Sequence, residues 1–413
     1  MNLASCFLPG EILLPQGVDL RRWASIACDQ FTADPAYWAR VEETVGDAPS
    51  TLYLMLPEIY LGRKNTEELQ ARVVRHMEDY LAAGLFRSFP DSYFYIERTL
   101  SGGGLRRGLL GLLDLEYYDY RPDSTSPIRA TEGLVEERLP PRLRVRKDAL
   151  LELPHLILFF DDPQQTVVAE AESSAGEMLY DTPLMEGGGS VRARRITGEG
   201  VWRVREALAR LGDGEKLRDR YGDAPPVLYA VGDGNHSLAA AKRIWEELRE
   251  RLSPADRLTH PARFALAELV DLHEPSLVFE PIHRVLFNTD PSDFLREAGE
   301  RFSSQNGRLF RCLTAEGEVS LRVEGTIGEC IAQCEAFVED FVRAHGGRID
   351  YIHGDREAET LSRPEGRAGL LMPEMDKRDL FPSIIRSGPL PKKSFSIGPA
   401  RDKRYYLECR RLR

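Results

Sequence analysis

The segment Val227–Leu252 constrains the fold of this chain more than any other. Five apolar residues, Val227–Val231, run into Gly232-Asp233-Gly234-Asn235-His236-Ser237. After that turn, apolar residues recur at helical spacing at Leu238, Ala241, Trp245, Leu248 and Leu252. A short unbroken apolar run reads as a strand buried on both faces, and the 3.6-residue period that follows predicts a helix with one inward face. A strand covered on both sides by other elements belongs to a layered α/β fold. The segment therefore predicts a mixed α/β protein built around a strand–turn–helix.

The turn carries chemistry as well as geometry. Backbone N–H groups at the start of a helix have no partner within the helix, and the positive end of the dipole lies there, so the turn predicts an anion site. Gly232 and Gly234 permit left-handed backbone and close approach of a ligand. Asp233 suits metal binding, general-base work or a hydrogen bond that holds the turn, and His236 suits phosphate binding or proton transfer near neutral pH. The same residues also permit a plain capped helix start, with Asn235 or Ser237 as the cap. Local chemistry alone leaves both readings open.

A chain of 413 residues is expected to divide into more than one unit. The expected division is 1–274, the main α/β unit holding the turn, and 275–413, a smaller α+β unit whose last strands return to the first. With 55 Lys and Arg against 66 Asp and Glu, the net charge of −11 argues against nucleic acid as the main partner. The longest purely apolar run, Leu156–Phe160, is too short to span a bilayer. The N-terminal stretch has no basic start and is broken by Pro9, Gly10 and Pro15, so no secretory signal is read there. Six scattered cysteines without a CxxC pair fit a reducing compartment, and the expected location is the cytoplasm. Cys330 and Cys334 are read as small core residues on one helix face.

Elsewhere the pattern predicts a strand at 49–56, a helix at 66–81, and a hairpin from 92–99 into 108–115 across Gly102–Gly104. Residues 121–148, with four prolines, read as an irregular charged connection. A buried strand is expected at 153–160 and a helix at 201–211, while 262–272 fits a helix or a buried strand equally. Beyond 290, helices are expected at 291–302 and 327–345, strands at 308–313 and 318–323, and a closing hairpin between 393–397 and 405–410.

The run LYAVGDGNHSLAAAKRI resembles the most recognisable motif of the uncharacterised family DUF1015, an apolar strand, Asp-Gly-His-His-Arg and a helix. Asp233, Gly234 and His236 keep that pattern, while Asn235 and Ser237 depart from it. Asp29 resembles the acidic residue of the family's N-terminal segment, and Ile128-Arg129-Ala130-Thr131-Glu132 resembles Ile-Arg-Pro-His-Glu. Pro281-Ile282-His283-Arg284 is similar to Pro-Thr-His-Arg, and Lys393-Ser394 to the end of Met-Pro-Pro-Lys-Ser. The turn is also similar to that of the ParB/sulfiredoxin-like group, which includes free-serine kinases. That resemblance implies a ParB/sulfiredoxin-like N-terminal core and a phosphotransferase acting on a serine-like hydroxyl, with ADP or ATP and magnesium.

It further implies Glu132 or Asp29 as base, with His236, Arg129 and Lys393 stabilising phosphoryl oxygens. His283, Arg284 and Ser394 are secondary candidates. The departures at Asn235 and Ser237 keep open a regulator that binds a nucleotide or phosphometabolite without turnover. No HExxH or comparable spacing exists, so no zinc is expected, nor haem or flavin; the expected partner is a small phosphorylated molecule, not a membrane.

Overall fold

The Tyr229–Asp233 strand lies deep within a large mixed sheet, and its C-terminal end delivers the Asp233–Ser237 turn to the sheet's edge. The computed structural model describes residues 6–61 and 65–413. The expected N-terminal stretch thus begins, at residues 1–5, outside the described ones. Across the sheet the order is Met178–Pro183, Ser190–Ile196, Phe86–Thr99, Leu105–Asp114, Phe264–Asp271, Leu156–Phe160, Tyr229–Asp233, Ile128–Ala130 and Tyr118–Asp119. Phe7–Leu8 and Gly10–Pro15 pair beside this path with Leu105–Asp114 and Phe86–Thr99. Tyr229–Asp233 runs parallel to Ile128–Ala130 and antiparallel to Leu156–Phe160. These pairings bring residues after Ala130 and before Leu156 to the same edge as the turn.

The helix Asn235–Arg249 packs back on this sheet. Leu238, Ala241 and Trp245 are fully covered beside Val231 and Leu158, as the sequence spacing predicts. Ala239 and Ala240 on its other side meet Leu139 of the helix Leu139–Asp148, so this helix is clamped between sheet and helix. Burial of such side chains stabilises by roughly 1.5–3 kcal/mol each for the larger ones. The turn is therefore mounted on rigid elements.

A second sheet has the order Glu318–Val323, Arg308–Thr314, Arg367–Leu371, Phe279–Phe287 and Arg348–His353, with Phe395–Ile397 also pairing to Phe279–Phe287. The helix Ile327–His345 covers it and buries Cys330 and Cys334 among Ile327, Ile331, Phe337 and Phe341. Thr326 caps this helix with a reciprocal Glu329 contact.

The mixed α/β class expected from the sequence is the one observed. Several elements differ from expectation for identifiable reasons. Residues 51–54 form a 3-10 turn, not a strand, because the Ser50 hydroxyl accepts the Leu52 N–H and starts a tight helix. The stretch 121–148 is not irregular throughout. Pro140 and Pro141 sit in the first turn of the helix Leu139–Asp148, where a missing N–H has no cost. Residues 264–271 resolve as a strand buried on both faces. The C-terminal hairpin does not form. Phe395–Ile397 joins the second sheet, Tyr405–Tyr406 pairs with Ser25–Ile26, and Arg410–Arg411 pairs with Leu151–Glu152. Among the described residues no helix is long and apolar enough to cross a membrane.

Candidate functional site

Gly234 decides the local geometry of the turn. It precedes the helix with φ +84°, and a Cβ there would lie 2.7 Å from Leu156 Cδ2 and 2.8 Å from His155 Cδ2. No side chain caps the helix, so neither Asn235 nor Ser237 takes the capping role that the plain structural reading assigns them. The first intrahelical bond runs from Leu238 N–H to Gly234 O, which leaves the N–H groups of Asn235, His236 and Ser237 ahead of it at the positive dipole end. Asp233 Oδ1 accepts the Gly234 N–H at 3.0 Å and pins the turn.

The turn forms one wall of a cavity of about 330 Å³ that is also lined by Asp29, Glu132, His155, Lys392, Lys393 and Lys403. Backbone pairing explains how distant residues arrive there. Glu132 bridges Leu390 in parallel register, with Leu390 N–H donating to Thr131 O at 2.8 Å and Gly133 N–H to Leu390 O at 3.0 Å. This contact carries the 391–394 loop to Glu132, whose carboxyl accepts the backbone N–H groups of Ser394 and Lys393. Lys393 holds φ +60°, the left-handed conformation that folds the loop back on Glu132. Its ammonium sits 5.7 Å from the Tyr351 ring centre.

Two of the three carboxylates on this cavity, Glu132 and Asp29, are shifted in opposite directions. Burial pushes Glu132 up to about 7, against the pull of the Ser394 N–H and Lys403, and Asp233 adds to the rise. Burial acts on Asp29 in the same sense, but the His155 imidazole beside it outweighs burial and holds Asp29 below the usual carboxylate range. His155 Nε2 lies 3.3 Å from Asp29 Oδ2, and its Nδ1 lies 2.6 Å from the Tyr406 hydroxyl. Burial disfavours the imidazolium, yet Tyr406 and Asp29 together raise His155 well above its ordinary value. Lys403 Nζ stands 3.7 Å from Asp233 Oδ2.

His236 Nε2 accepts the Val135 N–H at 3.1 Å, which places the imidazole proton on Nδ1 in the neutral ring. Four expected residues sit elsewhere or serve the site through the backbone. Arg129 is buried and donates to the carbonyls of Ser126 and Pro225, away from the cavity lining. His283 accepts the Met372 N–H and faces Asp355, and Arg284 is fully covered against Glu335. The Ser394 hydroxyl donates to Pro391 O, so Ser394 meets Glu132 only through its N–H. Sequence reasoning did not single out His155 or Lys403. His155 is a lone polar residue in an apolar stretch and Lys403 is one of the charged run Arg401–Arg404, and only the pairings of 156–160 and 405–406 carry them to the turn.

A second, apolar cavity of about 150 Å³, walled by Leu54, Met77, Leu151 and Leu266, shares His155, Arg142 and Ser237 with the first.

Residues 13–365 match the family described as protein of unknown function (DUF1015). The chain belongs to the DUF1015 family. The matched range holds Asp29, Glu132, His155 and the turn of this DUF1015 chain, while Lys393 and Lys403 lie C-terminal to it. No curated protein matches the chain. Similar solved structures include SbnI with C-terminal truncation from Staphylococcus aureus, at 10% identity, covering 70% of this chain and 83% of that one, with TM-score 0.35. A conserved hypothetical protein from Pyrococcus furiosus is 8% identical, with 72% and 90% coverage and TM-score 0.34. A free serine kinase in complex with AMP is 8% identical, with 73% and 91% coverage and TM-score 0.37.

Proposed function

We propose that this chain is a small-molecule phosphotransferase that seats nucleotide phosphates on the 232–237 turn and moves one phosphoryl group to a serine-like hydroxyl. The observation that carries this reading is the meeting of Glu132, the uncapped helix start and Lys393 and Lys403 on one cavity. Phosphoryl transfer asks for positioning and for cationic and N–H stabilisation of spread negative charge, and little else from a protein.

In this reading the acceptor hydroxyl oxygen forms the new bond to phosphorus, the bond from phosphorus to the nucleotide oxygen breaks, and the hydroxyl proton passes to Glu132. A base poised near neutral pH suits that step, and Glu132 has that property while Asp29 does not. The amides of Asn235, His236 and Ser237 and the two ammonium groups face the phosphate oxygens, with His236 Nδ1–H as a further donor. Magnesium carried by ADP or ATP would neutralise the phosphates. The adjoining apolar cavity is suited to the nucleobase.

The test is phosphorus NMR of the protein with ADP or ATP, magnesium and L-serine. Phosphoserine should form, and Glu132→Gln should slow it by about 10²-fold or more. A panel of hydroxyl metabolites without turnover would remove the catalytic reading.

A second reading, binding without turnover, is favoured by one observation. Ser237 stands where the family pattern has Arg, and Arg129 is turned away from the cavity, so no guanidinium of the expected set faces the phosphates. Equal stabilisation of the native protein and Glu132→Gln by nucleotide, without product, supports that alternative.

A further inference from the structure

Asp29, His155 and Asp233 come from three separate parts of the chain, yet one ligand atom from each lies within 4.8 Å of the others. We propose that these three side chains form a binding site for a first-row divalent cation of the manganese or zinc class. The inference shares its cavity with the proposed phosphotransferase but needs no nucleotide and no turnover.

The geometry supports it at the level of single atoms. In each carboxylate one oxygen is already held: Asp29 Oδ1 accepts the Gln30 amide at 2.9 Å, and Asp233 Oδ1 accepts the Gly234 N–H at 3.0 Å. The other oxygens, Asp29 Oδ2 and Asp233 Oδ2, are the ones that meet His155 Nε2 and Lys403. His155 is oriented from behind, with Nδ1 against the Tyr406 hydroxyl, which in turn accepts the Cys28 N–H at 3.2 Å. Outer contacts of this kind hold metal-binding histidines and carboxylates in place. Two ligands about 2.1 Å from a common ion stand about 3 Å apart when adjacent and about 4 Å apart when opposite. The 3.3 Å between His155 Nε2 and Asp29 Oδ2 falls in that range.

A further donor lies on the same cavity. Asn235 Oδ1 is shielded from solvent and has no hydrogen-bond partner. The 232–237 turn lines the same cavity as the three side chains, so a phosphate oxygen bound there would share the cavity with the cation. The imidazole selects the kind of ion. Oxygen-only sets suit magnesium, calcium and manganese, and the imidazole adds affinity for iron and zinc, so a set of two carboxylates and one histidine spans manganese to zinc.

The test is electron paramagnetic resonance of manganese with the nucleotide-free protein. The six-line signal of the free ion should disappear as one manganese binds per chain, and a large excess of magnesium should fail to restore it. Asp233→Asn and His155→Gln should each weaken binding by at least about 10-fold, with circular dichroism confirming the fold. If His155→Gln does not fold, Asp233→Asn and Asp29→Asn decide the matter. An undiminished free-ion signal with the native protein overturns the inference, and so do folded variants that bind as the native protein does. Manganese binding without phosphoserine formation leaves the site standing and removes only the catalytic reading. Phosphoserine formation without manganese binding does the reverse.

Discussion

The Glu132 carboxyl accepts the backbone N–H of Ser394, a contact that ties the end of a short strand in the large sheet to a loop near the C-terminus. That contact keeps the carboxyl buried beside Asp233 and Lys403, and burial is what lifts Glu132 to about 7 from an ordinary value of 4.5. Four predictions follow from this arrangement and from the elements that carry it.

Glu132 should cost stability at neutral pH. Its folded value lies above its unfolded one, so its contribution is fully present below pH 4.5 and is lost as pH rises through about 7. Glu132→Gln removes that loss. In chelator-containing buffer, denaturant unfolding should find the variant more stable by about 2–3 kcal/mol at pH 8 and little changed at pH 4.5.

The same group sets the expected rate profile. If Glu132 is the base, kcat/KM for phosphoserine formation should rise with pH and level off above an apparent value near 7. A profile that is flat from pH 5.5 to 8.5 would place the proton acceptor elsewhere.

Gly234→Ala should damage both fold and binding. The position combines φ +84° with a Cβ site 2.7 Å from Leu156 Cδ2, and left-handed backbone at a residue with a Cβ costs about 1–3 kcal/mol. Thermal denaturation should show that loss, and the stabilisation that nucleotide gives the native protein should vanish.

Arg404 tests how the C-terminal segment is anchored. Its guanidinium joins Glu268 of the large sheet to Glu408, and both carboxylates are wholly buried. Arg404→Met leaves two buried carboxylates without their partner and should destabilise by about 3–5 kcal/mol in denaturant unfolding.

Strong local periodicity made much of this fold legible. The helix Ile327–His345 and the strand–turn–helix at 229–249 announce themselves through apolar spacing and end signals. The strand Phe264–Asp271 did not, because a run buried on both faces has the same apolar content as a buried helix. The paths of Phe395–Ile397 and Tyr405–Tyr406 were also hidden, since their partners at 279–281 and 25–26 lie far away in sequence. The site divides along the same line. The turn, Glu132 and Asp29 could be read from motifs. His155 and Lys403 could not, because one is a lone polar residue, the other is one of four successive charged residues, and both are placed by long-range pairing. Arg129 and Arg284 belong to segments with recognisable patterns, but their guanidinium groups are engaged by nearby carbonyls and by Glu335.

The central claim is that phosphate binds at the 232–237 turn, and amide chemical shifts test it residue by residue. In a transverse-relaxation-optimised nitrogen–proton spectrum, adding ADP should move the Asn235, His236 and Ser237 N–H signals downfield and leave those of Arg308–Thr314 and Glu318–Val323, which do not line the cavity, in place. The Gly234→Ala protein should show no such movement. Unmoved signals at 235–237 in the native protein, or nucleotide-induced shifts confined to another face, would contradict the account.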